Sequence, residues 1–203
     1  MSNTKKKRME QERKRKLRQK KKLEKVVLGV ITAAIIVFVG FHYATNKTDT
    51  TTVITNKNSS EQQLSSFDVN LITGGTLPTS TLNGHPFVLW LMTTWCSSCA
   101  ETSQILVSEY YGTMKADGIR ILQVENYNDL NENGESLPSF AAQYGGDNQS
   151  GWFIGYAPQW VTQKYNPDLD LDIYYLVDSS GYIVGSGQGL GAHLSSVVQT
   201  LGS

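Results

Sequence analysis

The chain holds 203 residues with 18 basic and 18 acidic side chains, so its formal net charge is zero. The balance hides a split: residues 1–25 carry thirteen Lys or Arg against three Glu, and the rest carries five against fifteen acidic residues. That length allows one ordinary domain with material to spare, and two cysteines exclude a four-thiolate zinc centre.

Residues 26–44 follow the basic run with nineteen positions and no formal charge. As a helix they would extend about 28 Å, close to the hydrocarbon thickness of a bilayer. The segment is too long, and its basic flank too extended, for an ordinary cleaved signal peptide. The expectation is a single-pass signal-anchor helix with residues 1–25 as a basic cytoplasmic tail, because Lys/Arg-rich flanks stay on the cytoplasmic side. The basic run lacks aromatic interleaving and adjoins the span. Topogenic and anionic-lipid roles are therefore expected, and no nucleic acid. Residues 45–63 are polar and rich in Thr, Ser and Asn. Such a stretch buries too little surface to offset its ordering entropy and reads as a flexible linker.

The folded domain is expected over 64–203. Phe67, Val69 and Leu71 alternate with polar neighbours, which predicts a half-buried strand. Gly74 and Gly75 end it, and 76–84 reads as a turn-rich connector. The apolar run 87–92 predicts a strand buried on both faces. Ala100, Val107, Tyr111 and Met114 recur at helical separations, giving an amphipathic helix over 97–115. A second core strand is predicted at 119–124, a helix at 135–144, a short strand at 151–155 and a helix at 158–165. The run 173–177 is a third strong strand, Asp178–Gly181 supplies hairpin-turn chemistry, and 182–185 returns beside it. A helix over 193–201 closes the chain. Strand–helix alternation followed by a hairpin predicts an α/β fold with a mixed central sheet and helices on both faces.

Cys96 and Cys99, separated by Ser97 and Ser98, stand where the 87–92 strand passes into the next helix. Side chains three apart on a helix share a face and can reach disulfide geometry. At the helix N-terminus, free N–H groups and the dipole favour a thiolate on Cys96. Cys99, one turn in, is placed to resolve a mixed disulfide. A four-residue loop constrains the unfolded chain little, so structural stapling is a weak reason for this spacing. Ala100 follows Cys99 where haem attachment would need His.

The run Gly84-His-Pro-Phe-Val-Leu-Trp-Leu-Met-Thr-Thr-Trp-Cys-Ser-Ser-Cys99 resembles the strand-to-active-site signature of membrane-anchored, extracytoplasmic thioredoxin-like thiol-disulfide oxidoreductases with WCxxC. Tyr174–Val184 is similar to that family's later hairpin. The resemblance implies a thioredoxin-like domain lying outside the cytoplasmic membrane, with Cys96 as attacking thiolate, Cys99 as resolving thiol and Trp95, Ser97 and Ser98 as flank. Its partners would be protein or small-molecule thiols and disulfides and a redox-restoring system, with no cofactor and no metal. Two departures stand out. The family's cis-proline position falls at Asp172, with the nearest proline at Pro167. The family's buried acid, six residues before the first cysteine, is Trp90. Glu125 is a candidate substitute proton acceptor, with an exposed strand-end carboxylate as the plainer reading. A metal-binding or delivery module using the cysteines with His193 or Asp172, and a catalytically quiet interaction domain, are the alternatives.

Overall fold

The computed structural model describes residues 62–147 and 149–202. The predicted tail, membrane span and all but the end of the linker lie outside the described residues. Among the described residues, no helix is long and apolar enough to cross a membrane.

The elements, in order, are β1 (Gln62–Gln63), β2 (Asp68–Leu71), β3 (Thr76–Pro78), β4 (Phe87–Met92), α1 (Ser97–Ile105), α2 (Tyr111–Ala116), β5 (Arg120–Glu125), α3 (Leu137–Tyr144), β6 (Trp152–Tyr156), α4 (Gln159–Tyr165), β7 (Ile173–Val177), β8 (Tyr182–Gln188) and α5 (Leu190–Leu201). Among the described residues, eight strands form one sheet in the order β1-β8-β7-β4-β5-β6-β2-β3. Crossovers through α1–α2 and α3 make β4, β5 and β6 parallel, while β7 runs antiparallel to β4 and β8 antiparallel to β7.

β4 is buried at all six positions because both of its faces meet packed layers. Val88, Trp90 and Met92 join residues of α1, α3 and α5 in one core, including Cys99, Phe140 and Leu194. Phe87, Leu89 and Leu91 join Phe67, Val69, Leu82 and the α4 residues Val161 and Tyr165 in the other. Strand alternation thus feeds two cores from one segment, as expected for a sheet covered on both sides.

Several boundaries differ from expectation. Gln62 and Gln63, inside the segment read as linker, pair with Ile183 and Tyr182 of β8. The 76–84 connector contributes β3, folded back on β2 through Gly74 and Gly75 at φ +91° and +81°. The helix expected over 97–115 is interrupted by a π-helical turn, Leu106–Tyr110, between α1 and α2. β8 extends past Gly185 to Gln188, and α5 begins at Leu190 rather than at His193. Glycines concealed both boundaries. A Cβ at Gly187 would lie 2.6 Å from the Tyr174 hydroxyl, and one at Gly191 would lie 2.6 Å from Thr102 Oγ1. Close packing selected these residues at the expense of local propensity.

Candidate active site

β4 delivers the chain to the sheet's C-terminal end, where Thr93 and Thr94 stay buried and Trp95 emerges at 38% exposure. Cys96 then adopts an extended conformation, φ −81° and ψ 111°, and serves as N-cap of α1. Its Sγ occupies the place usually held by a Ser or Asp oxygen, accepting the Cys99 N–H at 3.2 Å. Ser98 Oγ lies 3.1 Å from the same sulfur. Cys96 and Cys99 are joined as a disulfide with Cα atoms 5.2 Å apart. Cys99 is fully enclosed and Cys96 is 3% exposed, so both residues of the pair are buried. Ser97 and Ser98 are exposed beside it.

A residue that sequence reasoning missed holds the approach to the dithiol. The Asp129 carboxylate accepts the Thr94 N–H at 2.8 Å and the Thr94 hydroxyl at 2.6 Å, and its carbonyl accepts the Trp95 indole N–H at 2.8 Å. Asp129 lies in a left-handed turn: Asn128, Asp129, Leu130 and Asn131 have φ of 51°, 50°, 58° and 66°. Left-handed backbone is costly for residues with a Cβ, least so for Asn and Asp, which make up three of these four. The sequence signal was an Asn/Asp-rich stretch after β5. It marks a turn without naming what the turn grips.

The two departures from the family pattern meet in space. Because β7 is antiparallel to β4, Asp172 just before β7 lies beside the strand end that carries the cysteines. There the Trp90 indole N–H donates to Asp172 Oδ1 at 2.7 Å, and the Leu190 N–H donates to the same oxygen at 3.3 Å. Asp172 is 2% exposed, has φ +60°, and among the described residues leaves Oδ2 without a hydrogen-bond partner. Burial pushes its pKa up, while the hydrogen bonds from Trp90 and Leu190 pull it back.

Glu125 ends β5 in register with Met92 and Tyr156. It is half-buried rather than exposed, and its pKa is raised to about 7, first by burial and then by the neighbouring Asp129 charge. The carboxylate field it feels comes from the Asp129 turn. Among the described residues, no group of three His, Cys, Asp or Glu side chains converges closely enough to hold a metal ion.

No protein-family model matches the sequence, and no curated protein matches it. Solved structures do match in fold. A thiol:disulfide interchange protein of the thioredoxin family from Chlorobium tepidum aligns at TM-score 0.53 and 16% identity, covering 72% of this chain and 99% of that one. A secreted Mycobacterium tuberculosis disulfide oxidoreductase, homologous to E. coli DsbE, aligns at 0.51 and 18%, covering 66% and 96%. BsSco, a member of the Sco family of cytochrome c oxidase assembly proteins in which a disulfide switch was identified, aligns at 0.52 and 16%, covering 72% and 97%. At these identities the likeness establishes the architecture: the domain has a thioredoxin-like α/β fold with a Cys-x-x-Cys pair in disulfide contact.

Proposed function

We propose that this protein is a membrane-anchored thiol-disulfide oxidoreductase whose domain works outside the cytoplasmic membrane. The observation that carries the reading is Cys96 Sγ at the N-cap of α1, in disulfide contact with Cys99 and flanked by the exposed Trp95, Ser97 and Ser98. An N-cap N–H and the helix dipole stabilise a thiolate there, which makes Cys96 both nucleophile and leaving group.

In the reducing direction the Cys96 thiolate attacks a substrate sulfur. The substrate S–S bond breaks, and the departing sulfur takes the electron pair and a proton from solvent. Cys99 then loses its proton and attacks Cys96 Sγ, re-forming the internal disulfide and releasing the second substrate sulfur as a thiol. Two electrons and two protons pass to substrate in total. The oxidising direction is the reverse, and a redox partner restores the starting state. The uncharged span at 26–44 and its basic flank support the anchor and its orientation.

Replacing Cys99 with Ser in cells should accumulate mixed disulfides on Cys96. Absence of adducts together with an unreactive thiol in vitro would remove the enzyme reading. An engineered linker cysteine should react with an impermeant alkylating reagent in intact cells; failure would reverse the proposed orientation. The alternative is a metal-delivery module using both cysteines with Asp172 or His193, a set that the described residues do not bring together as a metal-holding group. Tight one-to-one metal uptake by the reduced chain, abolished by Cys99→Ser, would select it.

A further inference from the structure

We propose that a cleft at the end of the sheet opposite the dithiol binds a small organic monocarboxylate, with Arg120 and Lys115 taking the carboxylate and an apolar wall taking the rest of the ligand. β4, β5 and β6 run parallel, so the residues that lead into them share one end of the sheet. The cysteines follow β4 and stand at the other end. Six residues of strand separate the two ends by about 20 Å. The cleft therefore does not belong to the dithiol, and the inference stands whether or not Cys96 is an attacking thiol. His85 before β4, Arg120 at the start of β5 and Trp152 at the start of β6 line it, together with Lys115 from the last turn of α2. Its volume is about 690 Å³, within the range of small-molecule sites.

Charge sets this cleft apart from the rest of the domain. The described residues carry thirteen Asp or Glu against three Lys or Arg, namely Lys115, Arg120 and Lys164. Two of those three cations line the cleft, His85 joins them, and no Asp or Glu lines it. The Arg120 backbone N–H is bonded to the Pro86 carbonyl at 2.9 Å, but among the described residues its guanidinium has no hydrogen-bond or carboxylate partner. A concave surface of one sign concentrates ligands of the other, and a guanidinium offers a planar fork matched to a carboxylate. Lys115 is held at the rim. Its Nζ lies 5.8 Å from the centre of the Tyr111 ring, whose hydroxyl donates to the Ser150 carbonyl at 2.9 Å and whose ring packs 6.1 Å from that of Trp152. Leu71 and Phe153, both half-buried, leave apolar surface in the cleft for a ligand to cover. A bare inorganic anion would leave that wall wet, whereas a carboxylate on a ring-sized apolar body engages the cations and the wall together. Asp147 lines an adjoining hollow that shares Trp152 and Phe153, and its charge disfavours a second carboxylate on the same ligand.

The test is isothermal titration calorimetry of phenylacetate into the full-length chain in detergent, against a detergent blank. Saturable one-to-one binding with Kd below about 1 mM is expected. Phenethyl alcohol, which keeps the ring and loses the charge, should bind about tenfold more weakly or worse. Inorganic phosphate, which keeps the charge and loses the ring, should do the same. Arg120→Gln and Lys115→Glu should each weaken phenylacetate about tenfold or more, while Lys164→Gln, at the remaining cation of the domain, should leave its affinity unchanged. Cys99→Ser should bind it as the native chain does. No saturable heat up to about 10 mM phenylacetate would overturn the proposal. So would equal affinity for phenethyl alcohol or for phosphate, or equal weakening by all three cation substitutions, which would report net charge alone. If Arg120→Gln fails to fold by tryptophan fluorescence, Lys115→Glu, at an exposed helical position, decides: unchanged affinity there would overturn the proposal.

Discussion

Glu125 keeps its proton to about pH 7 because it is half-buried at the end of β5 with the Asp129 carboxylate close by. In the unfolded chain it would lose that proton near the ordinary value of 4.5. Between those pH values the folded state binds more protons than the unfolded one, so stability falls as pH rises through the window and stays lower above it. Glu125→Gln should therefore raise stability at pH 8 by about 1 kcal/mol, a figure discounted for the exposed half of the side chain. Near pH 4 it should change stability little. Urea unfolding at the two pH values checks this, and equal effects at both would refute it. Asp129 is tied to the same field. Asp129→Ala strips acceptors from the buried Thr94 N–H and hydroxyl, at an expected cost of about 2–3 kcal/mol. It should also increase fluorescence changes at Trp95, whose carbonyl partner sits in that turn.

At the scale of elements, strand β6 is locked to β2 by the absence of a side chain. A Cβ at Gly155 would meet the Asn70 carbonyl oxygen at 2.4 Å and Val69 Cγ1 at 2.7 Å. The backbone oxygen cannot yield without opening the β2–β6 pairing, so Gly155→Ala should cost about 2–3 kcal/mol in chemical unfolding. Gly112 in α2 is the matched control: exposed, with nothing within 4 Å of a built Cβ. Gly112→Ala should stabilise by about 0.5–1 kcal/mol through helix propensity alone. Comparable effects of the two substitutions would refute the packing account. This contrast also shows what the sequence carried. β4 and β7 were readable to the residue because each writes a continuous apolar run, β4 buried at all six positions and β7 at three of five. The start of α5 and the end of β8 were not, because Gly191 and Gly187 answer to Thr102 and Tyr174, far away in the chain. At the site, the cysteines and their helix-terminal setting were legible from spacing. Asp172 and Trp90 were each visible as departures, but their hydrogen bond spans 82 residues and belongs to the fold. Asp129 was invisible, since its grip on Thr94 depends on a left-handed turn that composition alone cannot aim.

At the scale of the molecule, two cores are assembled among the described residues: one gathers residues from Ile72 to Leu201, the other from Leu64 to Ile183. The expectation is that this domain folds without the proposed anchor. A fragment of residues 62–203 should accordingly be soluble without detergent, unfold in one cooperative step and retain disulfide exchange at Cys96. A multiphasic transition, or aggregation on removing detergent, would show that preceding residues complete the fold. Where the fragment starts should matter. Beginning at Ser66 deletes the β1 pairing to β8, the Leu64 contribution to the second core, and the Ser65 N–H bond to the Tyr165 hydroxyl at 2.9 Å. These are edge interactions together worth about 2 kcal/mol, or about 6 °C in the thermal midpoint of a domain this size. The dithiol lies across the sheet on the central strand's end, so its alkylation rate should be unchanged between the two fragments. A rate that moves with the shorter fragment would mean that the sheet edge and the reactive sulfur are coupled, and that the site is less insulated by β7 and β8 than its burial implies.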